Sequence, residues 1–296
     1  MNTAFVSTKY ATWKEAAMPW LKKASAWVRE HRRALSWTTS LAALTGVGAV
    51  IASHGGWAAL VQSKVVMPGC LALVFALWPL NLGLEVAKWH ELTTGETVRA
   101  WREAWREVLA GQTWAFLGPF RLADGAGRLA ASRSGRLRSV EGTKAFGWGA
   151  AAQGWATWAW AVPALAMWGW HVSSAVLLAI VAASGAFFVQ GGAGWRVLAL
   201  SLTRYAVFAA QFLLCLMSWG ALNPDNVWNE GFPRIAAVWC AVSSLPWPAE
   251  LGVREAAATW AFDEQLPQVV VATLVLWLIN RAGSAVLGSF FLTSKP

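Results

Sequence analysis

Residues 65–87 read VVMPGCLALVFALWPLNLGLEVA, followed at once by Lys88 and Trp89. A hydrocarbon core of about 30 Å takes roughly 20 apolar residues of helix to cross. This stretch has that length and holds one acid, Glu85, near its end. Asn81, Glu85 and Lys88 stand at i, i+4 and i+7, which puts them on one helix face. Ionisable groups at membrane depth are costly and are functional candidates by default. Glu85 and Lys88 are spaced to pair, which also fits a plain ion pair at a helix end.

The rest of the chain has the same character. Of 296 residues, 57% are hydrophobic and 13% charged, against roughly 25% charged in an average soluble domain. A water-soluble enzyme is excluded on that ground, because such a chain could not cover its own surface. The net charge of +9 is expected on the cytoplasmic face, beside anionic lipid. There are 23 Trp and 2 Tyr, and Trp favours the membrane–water boundary. Cys70, Cys215 and Cys240 are isolated in apolar runs, and His31, His54, His90 and His171 lack ligand spacing. Neither a disulfide framework nor a metal site is expected. No signal peptide is read, since apolar character first builds near residue 36.

Outward from 65–87, six further spans are expected: 37–53, 147–170, 172–189, 200–222, 235–248 and 268–292. That makes about seven, within a range of six to eight, in an all-α polytopic membrane protein. Residues 1–35 form a separate element, with Trp13, Trp20 and Trp27 at seven-residue spacing and basic residues on the other face. This predicts an amphipathic helix lying in the interface, interrupted at Pro19. The transmembrane domain then runs over 36–296. Within it, 88–144 carries ten Lys/Arg and six acids, whereas the 222–233 loop (LNPDNVWNEGFP) has two acids and no base. The N-terminus and 88–144 are therefore expected in the cytoplasm and the 222–233 loop outside.

Two segments share a plan of proline, acid, glycine and arginine: GPFRLADGAGR (118–128) and PWPAELGVRE (246–255). Each follows an apolar stretch too short to span comfortably, as in the re-entrant or broken helices of transporters. Asp124 and Arg128 lie four apart, as do Glu250 and Arg254, with Glu255 next to the latter. Arginine offers a bidentate fork for phosphate. Two ordinary polar loops with a chance likeness fit the same letters. Arg204 and Gln211 complete the candidate binding set with Asn81, Glu85, Lys88, Asp124, Arg128, Glu250, Arg254 and Glu255. No nucleophile–base signature, Walker A or dinucleotide fingerprint is present. The expectation is a non-enzyme with no catalytic residues and no cofactor.

Five blocks, NLGLEVAKW (81–89), GQTWAFLGPFRLADGAGR (111–128), RYAVFAAQ (204–211), LPWPAELGVRE (245–255) and LWLIN (276–280), resemble the membrane domain of the lysylphosphatidylglycerol synthase transmembrane, or flippase-like, family. The likeness is strongest to short bacterial members that stand alone, and the blocks keep family order over about 200 residues. Gly118-Pro119 stands where the family usually has Thr-Pro, and Ala123-Asp124 where it usually has Gly-Glu. The resemblance implies a multi-pass protein of the bacterial cytoplasmic (inner) membrane. It also implies translocation of a polar lipid, phospholipid or glycolipid, between leaflets, without an aminoacyl-transfer domain. The expected partners are the lipid membrane and a polar head group, not nucleic acid. On this reading Arg128 and Arg254 hold the phosphate, and Glu85, Asp124 and Glu250 balance charge and contact any amine. A membrane-embedded enzyme or accessory subunit of aminoacyl-lipid or lipid-linked sugar synthesis, and a membrane scaffold, are the alternatives.

Overall fold

The computed structural model describes residues 45, 52, 62–94, 100–117, 122–133, 140–190, 194–244, 253–262 and 266–292. The expected interfacial helix over 1–35 lies outside the described part, as does the expected span 37–53 apart from residues 45 and 52. Among the described residues the chain is helical, with no strand.

Helix α1 (Pro68–Thr94) runs unbroken through Pro79. Helices α2 (Trp101–Leu117) and α3 (Leu122–Ala131) pack on one another as a short pair. Helices α4 (Val140–Met167) and α5 (His171–Gln190) form a long hairpin. Its turn passes through Gly169 at φ +78°, a left-handed conformation that favours glycine. Helix α6 (Gly194–Ser218) packs along α1. After a 3₁₀ turn at Pro224–Asn226 and a π turn at Val227–Gly231 come α7 (Phe232–Ser244) and α8 (Val253–Ala261), a second short pair. The last helix is continuous but changes register: α9 (Leu266–Trp277), a π-helical segment (Leu278–Gly283) and α10 (Ser284–Leu292).

Among the described residues, four helices are long and apolar enough to cross a membrane, as in a helical membrane protein: Pro68–Thr94, His171–Gln190, Gly194–Ser218 and Pro267–Phe291. This falls short of the seven spans expected from sequence. Most of the 147–170 span falls in α4, which has the length, but Gln153 and its many indoles lower its apolar content. The 235–248 span becomes the 13-residue α7, about 20 Å long at 1.5 Å per residue and too short to cross.

The burial pattern is inverted relative to a soluble protein. Large apolar side chains face outward, with Leu73 53%, Val172 79% and Phe290 71% exposed, while Asn81, Glu85, Lys88, Glu107, Arg128, Gln211 and Arg254 are buried. Water would penalise such a surface; hydrocarbon does not. An apolar core does exist, built around Phe212 and Leu216 of α6, Ile235 and Trp239 of α7 and Leu276 of α9. Several indoles expected at the interface instead tie helices together. Trp155 Nε1 donates to the Val181 carbonyl at 2.9 Å and Trp160 Nε1 to the Leu202 carbonyl at 3.1 Å. Without water, each buried N–H must find such an acceptor.

Candidate functional site

Helix α1 sets the site. Its i, i+4, i+7 face delivers Asn81, Glu85 and Lys88 to the interior, with Trp89 beside them. The Glu85 carboxylate is shared by three cations from three helices. Its Oε2 meets Lys88 Nζ at 2.8 Å and Arg204 Nη1 at 3.0 Å, and its Oε1 accepts from Arg128 Nη2 at 2.8 Å. Arg204, which could have snorkelled to the interface, instead turns inward. Its Nε donates to Asn81 Oδ1 at 3.1 Å and its Nη1 to Gln153 Oε1 at 3.1 Å.

Arg128 is held from below by its own helix. Its Nε and Nη2 donate to the two oxygens of Asp124 at 2.7 and 2.8 Å, a bidentate fork one turn apart. Its guanidinium also lies 5.1 Å from the Trp89 ring centroid, within cation–π range. Trp89 Nε1 in turn donates to the buried Glu107 at 2.7 Å. This clamp depends on how closely α3 lies on α2. A Cβ at Gly111 would run into Asp124 Oδ1 and come within 2.7 Å of Arg128 Cγ.

The final helix supplies the opposite wall. The π register shift, a feature often found at functional sites, brings Asn280 and Arg281 onto the same interior face. Asn81 Nδ2 donates to Asn280 Oδ1 and to Gln211 Oε1, both at 3.0 Å. Arg281 Nη1 donates to Gln112 Oε1 at 3.2 Å. Arg254, 1% exposed, pairs with its neighbour Glu255.

These walls enclose a cavity of about 340 Å³, within the range of small-molecule sites, roughly 300–1,000 Å³. Of the residues singled out from sequence, Asn81, Glu85, Lys88, Asp124, Arg128, Arg204 and Arg254 line it together. Gln211 and Glu255 stand behind that lining and hold Asn81 and Arg254. Glu250 lies outside the described residues. Trp89, grouped from sequence with Asn81, Glu85 and Lys88, lines the cavity too, and the candidate binding set omitted Trp78, Gln112, Gln153, Asn280 and Arg281, which also line it. Asn280-Arg281 interrupting an apolar span was the available signal for two of them; Gln153 sits among tryptophans with nothing to mark it.

The cavity wall carries five cations, Lys88, Arg128, Arg204, Arg254 and Arg281, against the carboxylates Glu85 and Asp124. Glu255 stands behind the wall and pairs with Arg254. The lining has hydroxyls but no His or Cys, and no group of metal-ligating side chains occurs among the described residues. The arrangement suits capture of an anion. No family model, no curated protein and no solved structure matches the chain.

Proposed function

We propose that the protein moves a polar lipid between leaflets, taking its phosphate into the cationic cavity. The observation that carries this reading is a charged chamber of about 340 Å³ walled by helices whose outer faces are apolar. A head group crossing hydrocarbon needs a polar path, because an unpaired buried charge is so unfavourable. Arg128 and Arg254 have carboxylates of their own, in Asp124 and Glu255. Lys88 and Arg204 instead divide Glu85 with Arg128, so the phosphate belongs beside Lys88 and Arg204, with Arg281 opposite. This moves the phosphate away from the Arg128–Arg254 pair expected from sequence.

The same reading makes the chain a divergent member of the flippase-like family. It is supported by the fact that all five resembling blocks contribute to one cavity: Glu85 from the first, Arg128 from the second, Arg204 from the third, Arg254 from the fourth and Asn280 from the fifth. The proposed topology has six crossings, the low end of the expected range, with α2–α3 and α7–α8 as re-entrant pairs, in a bacterial inner membrane with a cytoplasmic N-terminus. The short lengths of α3, α7 and α8 support it. No nucleophile–base pair faces the cavity, which favours transport over chemistry.

The test is leaflet-resolved quenching of labelled lipids in proteoliposomes. Wild-type protein is expected to accelerate exchange of an anionic phospholipid, and Arg204→Gln to abolish it while leaving folded protein in the membrane. Exchange by wild type no faster than in empty vesicles would remove the proposal. Wild-type rates in Arg204→Gln would remove the phosphate site.

A further inference from the structure

The helices of the chain repeat. Helices α1 to α4 run long, short, short, long, at 27, 17, 10 and 28 residues. After α5, helix α6, the short pair α7 and α8, and the last helix follow the same plan, at 25, 13, 9 and, over Pro267–Phe291, 25 residues. The long helices keep one spacing: Pro68 to Gly194 is 126 positions, and so is Val140 to Leu266. Asp124 to Glu250 and Arg128 to Arg254 are 126 positions as well. Two loops alike by chance would not also set the spacing of the long helices around them.

The second unit is inverted relative to the first. Helices α1 and α6 lie side by side and antiparallel. Val66, just before α1, donates its N–H to the Ser218 carbonyl at the end of α6 at 2.7 Å, while Glu91 near the end of α1 meets Arg196 near the start of α6 at 3.6 Å. The two units also clasp each other in matching ways. Helix α7 lies on α4, where Ser243 donates to Thr157 Oγ1 at 3.4 Å and Phe232 stands edge-on to Trp160 at 5.8 Å. Helix α2 lies on the last helix, where Thr113 donates to the Ala285 carbonyl at 2.9 Å and Gln112 accepts from Arg281. The first helix of each short pair is thus held by the closing long helix of the other unit. Two copies related by a two-fold axis in the membrane plane, passing between α1 and α6, have this arrangement.

One position breaks the symmetry. The residue 126 positions after Glu85 is Gln211. In the first unit, Arg128 of the short pair reaches Glu85 of the long helix at 2.8 Å. In the second, Arg254 pairs with Glu255 on its own helix, Gln211 is taken by Asn81 and the Val74 carbonyl, and α6 carries no acid. The first short pair is therefore tied by charge to its long helix, and the second is not. Resting on the reading of the cavity as a transport site, we infer that the two units are inverted repeats whose conformations exchange, opening the cavity to one membrane face and then the other, and that the Arg128–Glu85 ion pair is the latch of the conformation described above. The latch is built to break without orphaning a charge. Arg128 keeps both oxygens of Asp124, and Glu85 keeps Lys88 and Arg204. A buried ion pair with no second partner on either side would forbid the motion.

The full-length protein in nanodiscs is given two pairs of spin labels, each pair joining α4 to the last helix. One pair, at Lys144 and Ser289, marks the end of the bundle where α1 finishes; the other, at Met167 and Gln268, marks the end where α1 begins. Each pair is expected to give two distances, separated by about 5 Å, the rise of one helical turn. Arg128→Lys keeps the charge and the Asp124 contact but loses the second branch of the fork. It is expected to shift the populations in opposite senses at the two ends, lengthening one distance and shortening the other. Glu85→Gln/Lys88→Met, which opens the latch from α1, should shift them the same way as Arg128→Lys. A single distance at both ends in wild type and both variants, or changes of the same sense at both ends, overturns the exchange. Two populations that neither variant moves overturn the latch. The lipid reading fails separately: if the ends exchange but labelled phospholipid is not moved in proteoliposomes, the repeats stand without that substrate. If phospholipid moves through a protein whose ends do not exchange, the lipid reading stands and the alternation falls.

Discussion

Neutralising Glu85 removes the anion that three buried cations share. Glu85→Gln keeps the shape and one acceptor oxygen but deletes the charge. Arg128 retains the bidentate Asp124 contacts at 2.7 and 2.8 Å, so it is the least affected. Lys88 is left with only the Gln153 amide at 3.4 Å, and Arg204 with Asn81 and Gln153. Lys88 is 3% exposed and has no route to water along its own side chain. Removing one partner of a buried ion pair typically destabilises by about 3–5 kcal/mol. Against a total stability of about 5–15 kcal/mol, that is a severe loss.

The structure also says which second substitution should compensate. In Glu85→Gln/Lys88→Met the orphaned ammonium is gone, and a chain of similar length fills its space. This double variant is expected to recover about half of the loss. Glu85→Gln/Arg128→Met should recover nothing, because it orphans Asp124 in turn. The measurement is reversible unfolding of the purified protein in mixed detergent micelles, run as a double-mutant cycle. Glu85→Gln within about 1 kcal/mol of wild type would show that Glu85 does not balance these cations. Equal recovery with Lys88→Met and Arg128→Met would show that the charges are not divided as the geometry says.

Gly111→Ala forces a methyl group into Asp124 and should destabilise by about 1–3 kcal/mol, seen as a lower thermal midpoint in detergent. Gly83→Ala, where a Cβ meets nothing within 4 Å, is the control and should not lower it. Cysteines placed at Ala100 and Asp225 should label from opposite sides, Ala100 only with reagents that reach the cytoplasm and Asp225 only from outside; the reverse pattern would invert the orientation drawn from the basic 88–144 region. Removing a lipid-facing aromatic, Phe290→Ala, should change stability by less than about 1 kcal/mol in lipid, because the side chain leaves one apolar medium for another; a loss near the roughly 3–5 kcal/mol of a core phenylalanine would place it in a protein interior.

What the sequence made legible was whatever lies within one helix. The Asn81–Glu85–Lys88 face and the Asp124–Arg128 fork are matters of 3.6-residue periodicity, and a single chain carries that information. The number of crossings was harder to read, because apolar length does not say whether a segment spans. Residues 147–170 read as a span, yet Gln153 and several indoles leave α4 less apolar than the four helices that qualify. Tryptophan misled in the same way: its preference for the interface holds on average, but Trp155 and Trp160 spend their N–H groups on carbonyls of neighbouring helices.

Partners across helices were out of reach for a different reason. Arg128 finds Glu85 across 43 positions, and Arg204 finds Asn81 across 123; nothing local to any of these residues encodes the match. A list of candidate charges is therefore not yet a site, because it cannot say which charges are spent on each other. Arg128 and Arg254 are conspicuous by motif, yet each has a carboxylate within its own helix. Lys88 and Arg204 have no carboxylate to themselves, because Glu85 must serve both of them and Arg128 as well. In a low-dielectric interior the ligand follows the uncompensated charge rather than the conspicuous residue. On the proposed reading the anion therefore belongs on the α1–α6 side of the cavity, beside Lys88 and Arg204.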